Sequence, residues 1–456
     1  MKRIITYILA IGILASCDDF IDVTPKGVVV PETVEHYQGL LNNARTTGSA
    51  PVSYAIASDD VYFDDARINS FDSWQFNAYS WADYYFNPEE IDFLWQQAYK
   101  EIADCNIIIN EIDEAKGDEL LKSYVKGEAL VFRAFSYFQL ANMYGSVYDK
   151  ATADDDLAVP LLLEAQIIQQ KPRASVQEIY DQIISDLDEA EKLMEEAEGQ
   201  KSTNMNATKF HGDLNTVYAL KMRVALFMEE YTDLINYGEK FFERLPIEAA
   251  ILDYNTLPSP FMIIPLFNPE HFYFQLPSGP YDFLRGAYLS DDLVATFDKT
   301  KDLRLTYLAI PDGDKYLFND YFSNIFPNPG FTTTEVLLGL AEGYIRNNEK
   351  NKAIDLINEL QKRRHMTPLY TPVAYDDVND AETLALVLSE RRKELMYHGK
   401  RFFDLKRLGK DPQTAVTFKR TINGAEKEIS PDDLRYQLAI PLDIMSMNDL
   451  LVQNPR

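Results

Sequence analysis

The stretch LKSYVKGEALVFRAFSYFQLANMY, residues 121–144, decides the fold of this 456-residue chain. Its aromatic, aliphatic and alanine residues surround nearly the whole circumference of the helix that the stretch predicts. A helix with this pattern is buried on most sides, because no polar face is left for water. We therefore predict that residues 121–144 form a central helix against which other helices pack.

Further helices are predicted in pairs along the chain. The residues from Trp95 to Ile109 repeat apolar positions at spacings of three and four, which predicts a helix that Gly117 turns back onto the central one. A shorter helix is predicted from Pro31 to Leu41. Gly399 is placed to end the first helix of the last pair. The other predicted pairs are Val176–Ala197 with Ala207–Glu230, Thr334–Asn347 with Lys350–Arg364, and Glu382–Tyr397 with Lys400–Leu408.

The fold class that follows is all-α, with about four tetratricopeptide-like helix pairs. Ala341, Gly343 and Ala353 put small residues where two helices would approach closely, as in a tetratricopeptide unit. A strict repeat period is absent, so the pairs are scattered and do not form a continuous array. Residues 45–90 and 245–332 show no sustained period, and we predict two loop-rich regions there that carry function.

The N-terminus predicts a lipoprotein. Residues 1–16 have a basic start and a short apolar core, and Leu14-Ala15-Ser16-Cys17 has the small residues and the cysteine of a lipobox. We predict that Cys17 is lipidated, that residues 17–31 are a tether and that 17–456 is a single domain. An ordinary signal peptide with a chance cysteine is the alternative. After Cys17 no apolar run reaches the roughly 18 residues of a membrane helix, so only the lipid is expected to touch a membrane.

Charge and motif content exclude several classes of function. The net charge of −28, or −30 once Lys2 and Arg3 are cleaved off, makes nucleic acid and anionic membranes poor partners and favours a neutral or cationic ligand. Cys105 has no partner for a disulfide, and the five histidines lack metal-ligand spacing. No phosphate-binding loop or nucleophile elbow occurs. We predict no cofactor, no bound metal and no enzyme activity.

One pair of carboxylates offers an enzymatic alternative. Glu390 and Glu394 lie one helical turn apart and could act as a general acid and base. The stretch 390–410 also holds eight arginines and lysines, among them Arg391 and Arg401. We therefore expect ion pairs that lock the last helix pair together. Arg133, on an apolar helix face, is likewise expected to be a paired structural residue, because an unpaired buried charge is very costly.

A ligand site is predicted in the aromatic stretch from Phe71 to Phe86, in which eight of sixteen residues are aromatic. Sugars bind by laying an apolar face on an aromatic ring while amides, carboxylates and arginines take the hydroxyls. Packing is the alternative, although neither a helical nor a strand period aligns all eight rings. The candidate ligand-binding residues are Trp74, Phe76, Asn77, Tyr79 and Trp81, with Asp59 and Asp60 from the same region and Tyr281, Arg285 and Tyr288 from the second.

Several motifs together resemble the SusD/RagB family of surface glycan-binding lipoproteins. The resemblance covers nearly the whole mature chain, and the segment that begins at Glu390 is its most specific part. The motifs are Trp95-x3-Tyr99-x6-Asn106, Gly127-Glu128-Ala129-x3-Arg133-Ala134, Leu289-Ser290-Asp291-x5-Phe297-Asp298, Glu390-Arg391-Arg392-x-Glu394-Leu395-x3-Gly399-x-Arg401, and Ile440-Pro441 near the end.

The resemblance implies a function, a location and a partner. A SusD-like protein captures an oligosaccharide and hands it to a SusC-like TonB-dependent barrel, whose lid it forms. The resemblance also places ligand contacts near residues 71–86 and makes Asp18-Asp19 a signal for the outer face of the outer membrane. Two alternatives remain open: a RagB-like protein whose cargo is a peptide, and a tetratricopeptide scaffold lipoprotein in the cell envelope.

Overall fold

The computed structural model describes residues 31–47, 51–165, 170–200, 209–257, 264, 267–278, 284, 286–319 and 328–456. The signal peptide, Cys17 and the tether up to residue 30 lie outside these residues, as do Tyr281 and Arg285. The helices are α1 Val34–Thr47, α2 Asp65–Ile68, α3 Ser73–Tyr79, α4 Phe93–Glu111, α5 Glu119–Tyr144, α6 Val176–Glu196, α7 Leu214–Met228, α8 Tyr231–Arg244, α9 Ile247–Ala250, α10 Asp291–Ala295, α11 Leu303–Leu308, α12 Thr333–Arg346, α13 Lys350–Arg364, α14 Asp380–Glu394, α15 Arg401–Leu408 and α16 Leu442–Met447.

The strands are short and few. They are β1 Val61–Tyr62, β2 His271–Tyr273, β3 Tyr288–Leu289, β4 Ala309–Asp312, β5 Lys315–Phe318, β6 Phe331–Thr332, β7 Phe418–Ile422 and β8 Ala425–Ile429. Short 3₁₀ turns lie at Val52–Ala57, Ile112–Glu114, Tyr254–Thr256, Thr367–Leu369 and Leu434–Tyr436. No helix in the described ranges is both long enough and apolar enough to cross a bilayer.

The predicted central helix is confirmed as α5. Every residue from Val131 to Tyr144 is buried, and α5 packs against α4 on one side and α6 on another. Asp118 begins the helix, because its carboxylate accepts a hydrogen bond from the Leu121 amide at 2.8 Å. Arg133 is a paired structural residue, as expected, since its guanidinium donates to both carboxylate oxygens of Asp186 on α6 at 2.8 and 2.6 Å.

The predicted contact between α6 and α7 is present, since Lys221 of α7 pairs with Asp188 of α6 at 2.6 Å, but each helix packs more extensively on another partner. Helix α6 packs mainly on α5, and α7 pairs with α8, which follows after Glu229 has closed α7 with a left-handed φ of 61°. The sequence did carry the signal for α8, since Leu234, Ile235, Gly238 and Phe241 are buried at helical spacing. At Gly238 a Cβ would lie 3.0 Å from a Leu340 methyl carbon, so the glycine lets α8 approach α12 closely.

The third and fourth predicted pairs are present as helices. Helix α12 packs against α13, and α14 packs against both of them. Helix α14 ends at Glu394, earlier than predicted, and Gly399, with a φ of 71°, lies in the turn before α15 and not directly at the helix end. An ion pair of 2.9 Å between Arg391 and Asp404 connects α14 to α15.

The two regions predicted as loops meet in a small sheet, which adds a few short strands to the predicted helical fold. The four-stranded antiparallel sheet has the order β1-β3-β5-β4, with β1 from the first region and the other strands from the second. Strand β2 pairs with β6, and β7 forms a hairpin with β8. The fold is otherwise mostly helical and tetratricopeptide-like. The sheet brings together residues that lie more than 200 positions apart in the sequence, because Tyr62 pairs with Tyr288.

Candidate ligand-binding cleft

Two tyrosines lie side by side at the outer face of the four-stranded sheet. Strands β1 and β3 pair antiparallel with Tyr62 opposite Tyr288, and successive residues of a strand point to opposite faces. Their neighbours Val61 and Leu289 are therefore buried, while both tyrosines are half-exposed. The two ring centroids are 6.1 Å apart and the rings are tilted by 48°. The pair forms an aromatic platform at the surface.

A lysine from the next strand lies at this platform. The Lys315 ammonium of β5 is 4.3 Å from the ring centroid of Tyr62 and 5.2 Å from that of Tyr288, both within cation–π range. The tight turn before it contains Gly313 with a φ of 64°, a conformation that glycine adopts without strain. The turn and the hairpin thus place the ammonium over both rings.

Tyr62 and Lys315 line a cleft of about 400 Å³, and Tyr288 lies beside Tyr62 without being one of the lining residues. One wall is β1 with Lys315 and the turn from β3 into α10, and the other wall is the start of β7 at residues 418–421. Asp291 and Asp292 lie in the first turn of α10, are exposed, and have no ion-pair partner in the part of the chain that the structure describes. The cleft therefore offers rings, an ammonium and carboxylates together, the set of groups that sugars require.

The hydroxyl of Tyr288 is held in place by a carboxylate. It donates a hydrogen bond of 2.8 Å to Asp312 on β4. This hydrogen bond to Asp312, with burial second, raises the pKa of Tyr288 above its ordinary value. The phenol is therefore protonated at neutral pH, and its ring is fixed in orientation.

The structure places Asp59 and Asp60 in buried ion pairs beneath the cleft. Arg401 binds both oxygens of Asp59 at 2.7 Å each, and the Arg392 Nε donates to Asp60 at 2.7 Å. Burial raises the pKa of Asp59, but the charges of Arg401 and Arg392 outweigh burial and lower it overall. Both carboxylates are occupied by arginines and fix the loop before β1, and Asp59 also lines the cleft.

Most of the predicted aromatic ligand residues are packed in the core. Trp81 is completely buried, and its indole N–H donates to the Ala57 carbonyl at 2.8 Å. Tyr79 is 1% exposed at the base of the cleft, and Trp74 stacks on Phe86 with 6.0 Å between ring centroids. The packing interpretation thus describes these rings in this structure, and direct ligand contact does not.

The remaining predicted residues are distributed unevenly. Phe76 is 38% exposed, and the Asn77 side chain donates to the Tyr85 carbonyl. Tyr281 and Arg285 lie outside the described residues. Tyr288 alone of the ten predicted residues contributes an exposed ring to the platform.

Sequence reasoning missed the two partners of Tyr288. Tyr62 lies in a strand of only two residues, too short for a period to be visible. Lys315 could have been found, because Asp312-Gly313 is a hairpin signal between two strand-like runs.

A second dense group of charges lies around α14 and is buried. Glu390 accepts from Arg304 at 2.7 Å and from Lys393 at 2.7 Å, and Glu394 binds Arg364 at 2.6 Å. Asp302 completes the group through Arg304 at 2.8 Å. We call these residues the buried ion network. The network confirms that the Glu390 segment forms ion pairs, although its partners are on α11 and α13 as well as on α14 itself.

The electrostatics of the network are those of permanent ion pairs. Burial raises the pKa of Glu390, but the charges of Arg304 and Lys393 outweigh burial and hold the pKa at about 2. The side chain of Glu390 is inaccessible to solvent. A general acid needs a raised pKa and contact with a substrate, and Glu390 has neither. In the described ranges no group of three or more histidine, cysteine, aspartate or glutamate side chains could hold a metal ion.

Comparisons with known proteins agree with the fold. Residues 19–226 match a family described as "Starch-binding associating with outer membrane", and residues 329–456 match one described as "SusD family". The SusD-like protein P38 of Formosa agariphila is 23% identical over an alignment of 517 positions, gaps included. The alignment covers 92% of this chain and 93% of that protein.

Solved structures show the same architecture. A SusD superfamily protein from Bacteroides thetaiotaomicron superimposes with a TM-score of 0.74 at 20% identity, covering 93% of this chain and 100% of the other. A SusD-like carbohydrate binding protein from Bacteroides vulgatus has a TM-score of 0.64 at 18% identity, covering 92% and 97%. At these identities the likeness establishes the fold and leaves the ligand open.

Proposed function

The chain belongs to the SusD/RagB family, and on that premise we propose that it is a glycan-binding lipoprotein of the outer membrane. In this proposal it captures an oligosaccharide at the cell surface and delivers it to a SusC-like TonB-dependent barrel. It performs no bond chemistry. The mechanism is capture of the sugar followed by transfer to the barrel.

The observation that carries the proposal is the platform of Tyr62 and Tyr288 beside Lys315. A sugar ring laid on the tyrosines buries its apolar C–H face, while its hydroxyls reach charged groups at the rim. The ammonium of Lys315 can donate to hydroxyl oxygens, and the carboxylates of Asp291 and Asp292 can accept from hydroxyl protons. The platform lies where the two loop-rich regions meet, so the helices are left as scaffold and as a surface for the barrel.

Replacement of one platform ring tests the assignment. We expect Tyr288→Ala to weaken oligosaccharide binding about tenfold, since an aromatic contact contributes roughly 0.5–1.5 kcal/mol beyond its buried area. Tyr375→Ala is the matched control, because Tyr375 also donates to a carboxylate, that of Asp355, but belongs to the segment between α13 and α14 and not to the four-stranded sheet. Calorimetric titration of both variants with the oligosaccharide that the parent binds measures the difference. Equal affinities for Tyr288→Ala and the parent would remove the cleft from the proposal.

A peptide cargo is the second candidate, and the exposed pair Asp291 and Asp292 favours it. These carboxylates could bind basic side chains while the tyrosines pack on apolar ones. A binding screen with oligosaccharides and oligopeptides side by side separates the two cargoes. Binding of peptides alone would replace the glycan proposal.

The location and the partner need separate experiments. We propose that Cys17 is lipidated and that Asp18-Asp19 directs the protein to the cell surface. Protease treatment of intact cells should digest a surface lipoprotein, whereas a periplasmic tetratricopeptide scaffold would be protected. Cys17→Ser should release the protein from the membrane fraction. A pull-down through a C-terminal tag should retain a large outer-membrane barrel, and its absence would contradict the transport role.

The absence of catalysis is part of the proposal. The inaccessible, ionised Glu390 supports it. Purified protein should release no reducing ends from an oligosaccharide that it binds. Turnover that Glu394→Gln abolishes would overturn this part.

A further inference from the structure

We propose that the cleft selects sugars that carry a negative charge, and that Lys315 receives the carboxylate or sulfate group. The proposal rests on the proposed function, because it specifies the class of glycan that the same site takes. It also reverses the expectation of a neutral or cationic ligand that the net charge of −28 suggests.

Lys315 lacks an anionic partner, because no carboxylate in the part of the chain that the structure describes lies within ion-pair distance of its ammonium. Asp312, its cross-strand neighbour, instead accepts the hydroxyl of Tyr288. The two tyrosine rings attract the ammonium but leave its positive charge uncompensated. The structure thus positions a charge over the platform and leaves its counter-charge to another molecule.

The other cations of the cleft, and the buried carboxylate of Asp59, already have partners within the protein. Lys419 pairs with Glu426 at 2.8 Å, and Arg420 donates to the backbone carbonyls of Tyr79 and Ser58. Asp59 is neutralised by Arg401. Lys315 is therefore the lining cation that a ligand can engage with the fewest competing partners.

The cleft is lined by equal numbers of positively and negatively charged side chains. Its lining carries the cations Lys315, Lys419 and Arg420 against the carboxylates Asp59, Asp291 and Asp292. The cleft is thus formally neutral in a strongly acidic chain, so an anion is repelled less there than at the average surface. Asp291 and Asp292 lie on α10, a different element from Lys315, so they can accept from sugar hydroxyls while the ammonium binds the charged group.

The shape of an acidic sugar matches the arrangement of the two tyrosine rings and Lys315. An acidic sugar presents both an apolar ring face and a charged substituent at the ring edge. Tyr62 and Tyr288 provide the surface for the ring, and the Lys315 ammonium lies within 4.3 and 5.2 Å of the two ring centroids. A charge-assisted hydrogen bond is roughly twice as strong as a neutral one, so the charged substituent decides selectivity.

The experiment compares each acidic sugar with its neutralised form. Oligogalacturonate is titrated beside its methyl ester, and a sulfated oligosaccharide beside its desulfated form, as members of a larger panel of such pairs. We expect the charged member of a bound pair to bind about tenfold more tightly, as one charge-assisted hydrogen bond predicts. Its advantage should shrink as NaCl is added, because salt screens partly exposed charges. The two arms distinguish a carboxylate from a sulfate ligand.

Variants of Lys315 assign the selectivity to one residue. Lys315→Met keeps an unbranched apolar chain beside the two rings and removes the charge. The affinity for the acidic sugar should therefore fall to the affinity for its neutral form. Lys315→Arg should retain the preference. Lys299→Met is the matched control, because Lys299 also lies over a tyrosine ring, that of Tyr316 at 5.3 Å, but outside the cleft.

Each result decides between the two proposals. Equal binding of charged and neutral forms, or a preference that survives in Lys315→Met, would overturn the acidic-sugar proposal and leave glycan binding intact. If only neutral sugars bind, the proposal also fails. If acidic peptides bind and no sugar does, the proposed glycan function fails, and the acidic-sugar proposal fails with it. Melting temperatures equal to that of the parent confirm that the variants fold.

Discussion

The buried ion network and the ligand-binding cleft are both rich in charge, but they treat it in opposite ways. In the network Arg304 contacts Asp302, Glu390 and Glu394, and none of these side chains is more than 5% exposed. In the cleft the Lys315 ammonium lies over two aromatic rings and forms no ion pair with the described residues, and Asp291 stays exposed. The interior completes its own ion pairs, whereas the cleft leaves a charge for another molecule.

This difference separates the residues that maintain the fold from the residues that we propose to bind the ligand. A buried charge without its partner is strongly destabilising, so the network cannot give up an ion pair to a ligand. A half-exposed ammonium is hydrated, and a ligand replaces water at little cost to the fold. The motif around Glu390 resembles the family most specifically, and its residues stabilise the fold. We therefore expect residues outside this motif to determine which ligand is bound.

Breaking the network should have the largest effect. We expect Arg304→Met to lower the free energy of unfolding by about 3–5 kcal/mol, because three buried carboxylates lose their shared cation. Urea unfolding followed by circular dichroism measures the loss. Lys352→Met, which removes an exposed ion pair with Glu349, is the control and should leave the midpoint unchanged. If both variants behave alike, the network is not a stabilising unit.

The same contrast holds for aromatic rings. We expect Trp81→Ala to cost about 3–4 kcal/mol of stability, because its fully buried indole leaves a cavity and an unpaired Ala57 carbonyl. Tyr288→Ala should leave stability within about 0.5 kcal/mol of the parent, as expected for a surface substitution. Thermal unfolding of the two variants gives the comparison. A stable Trp81→Ala that loses ligand binding would restore the sequence-based assignment.

Acid should remove the stability that the network contributes. The pKa of Glu390 is about 2 in the folded state against an ordinary value of 4.5, so its ion pairs stabilise the fold above pH 4.5 and are lost as the pH falls toward 2. In that window Glu390→Gln should reduce the slope of unfolding free energy against pH by up to about 1.4 kcal/mol per unit. Urea titrations at several pH values measure the slope. An unchanged slope would mean that Glu390 is not ionised in the folded protein.

The smallest effect is expected at the rim of the platform. Asp312→Asn removes the charged acceptor of the Tyr288 hydroxyl, so the pKa of Tyr288 should fall toward its ordinary value. Affinity should drop less than in Tyr288→Ala, because the ring remains while its orientation is less fixed. Ultraviolet titration of the phenol and calorimetry measure the two effects. A pKa that does not move would show that Asp312 does not control the hydroxyl.

Sequence predicted the helices well, because long apolar periods leave little choice of structure. The stretch 121–144 is buried as predicted, and the Glu390 segment forms the expected ion pairs. Helix α8 was overlooked although its period is readable in Leu234, Ile235 and Phe241. Because α8 was overlooked, α7 was paired with α6 alone, whereas α6 packs more extensively on α5 and α7 on α8.

The cleft could not be predicted in the same way. Strands β1 and β3 have two residues each, so neither shows a period, and their pairing joins residues 226 positions apart, Tyr62 and Tyr288. Exposure of an aromatic ring depends on tertiary contacts such as those around Trp81, which composition does not reveal. The sequence therefore did not distinguish the rings that are buried, such as Trp74, Tyr79 and Trp81, from Phe76, which is exposed.

The salt bridge between Asp59 and Arg401 implies that the cleft forms late in folding. The two residues are 342 positions apart, and Arg420 reaches back 362 positions to the carbonyl of Ser58. Contacts of such high sequence separation form late in folding, because a long loop must be closed first. A chain that is still being synthesised has no cleft until β7 has followed. The cleft is thus complete only after nearly the whole protein has been made.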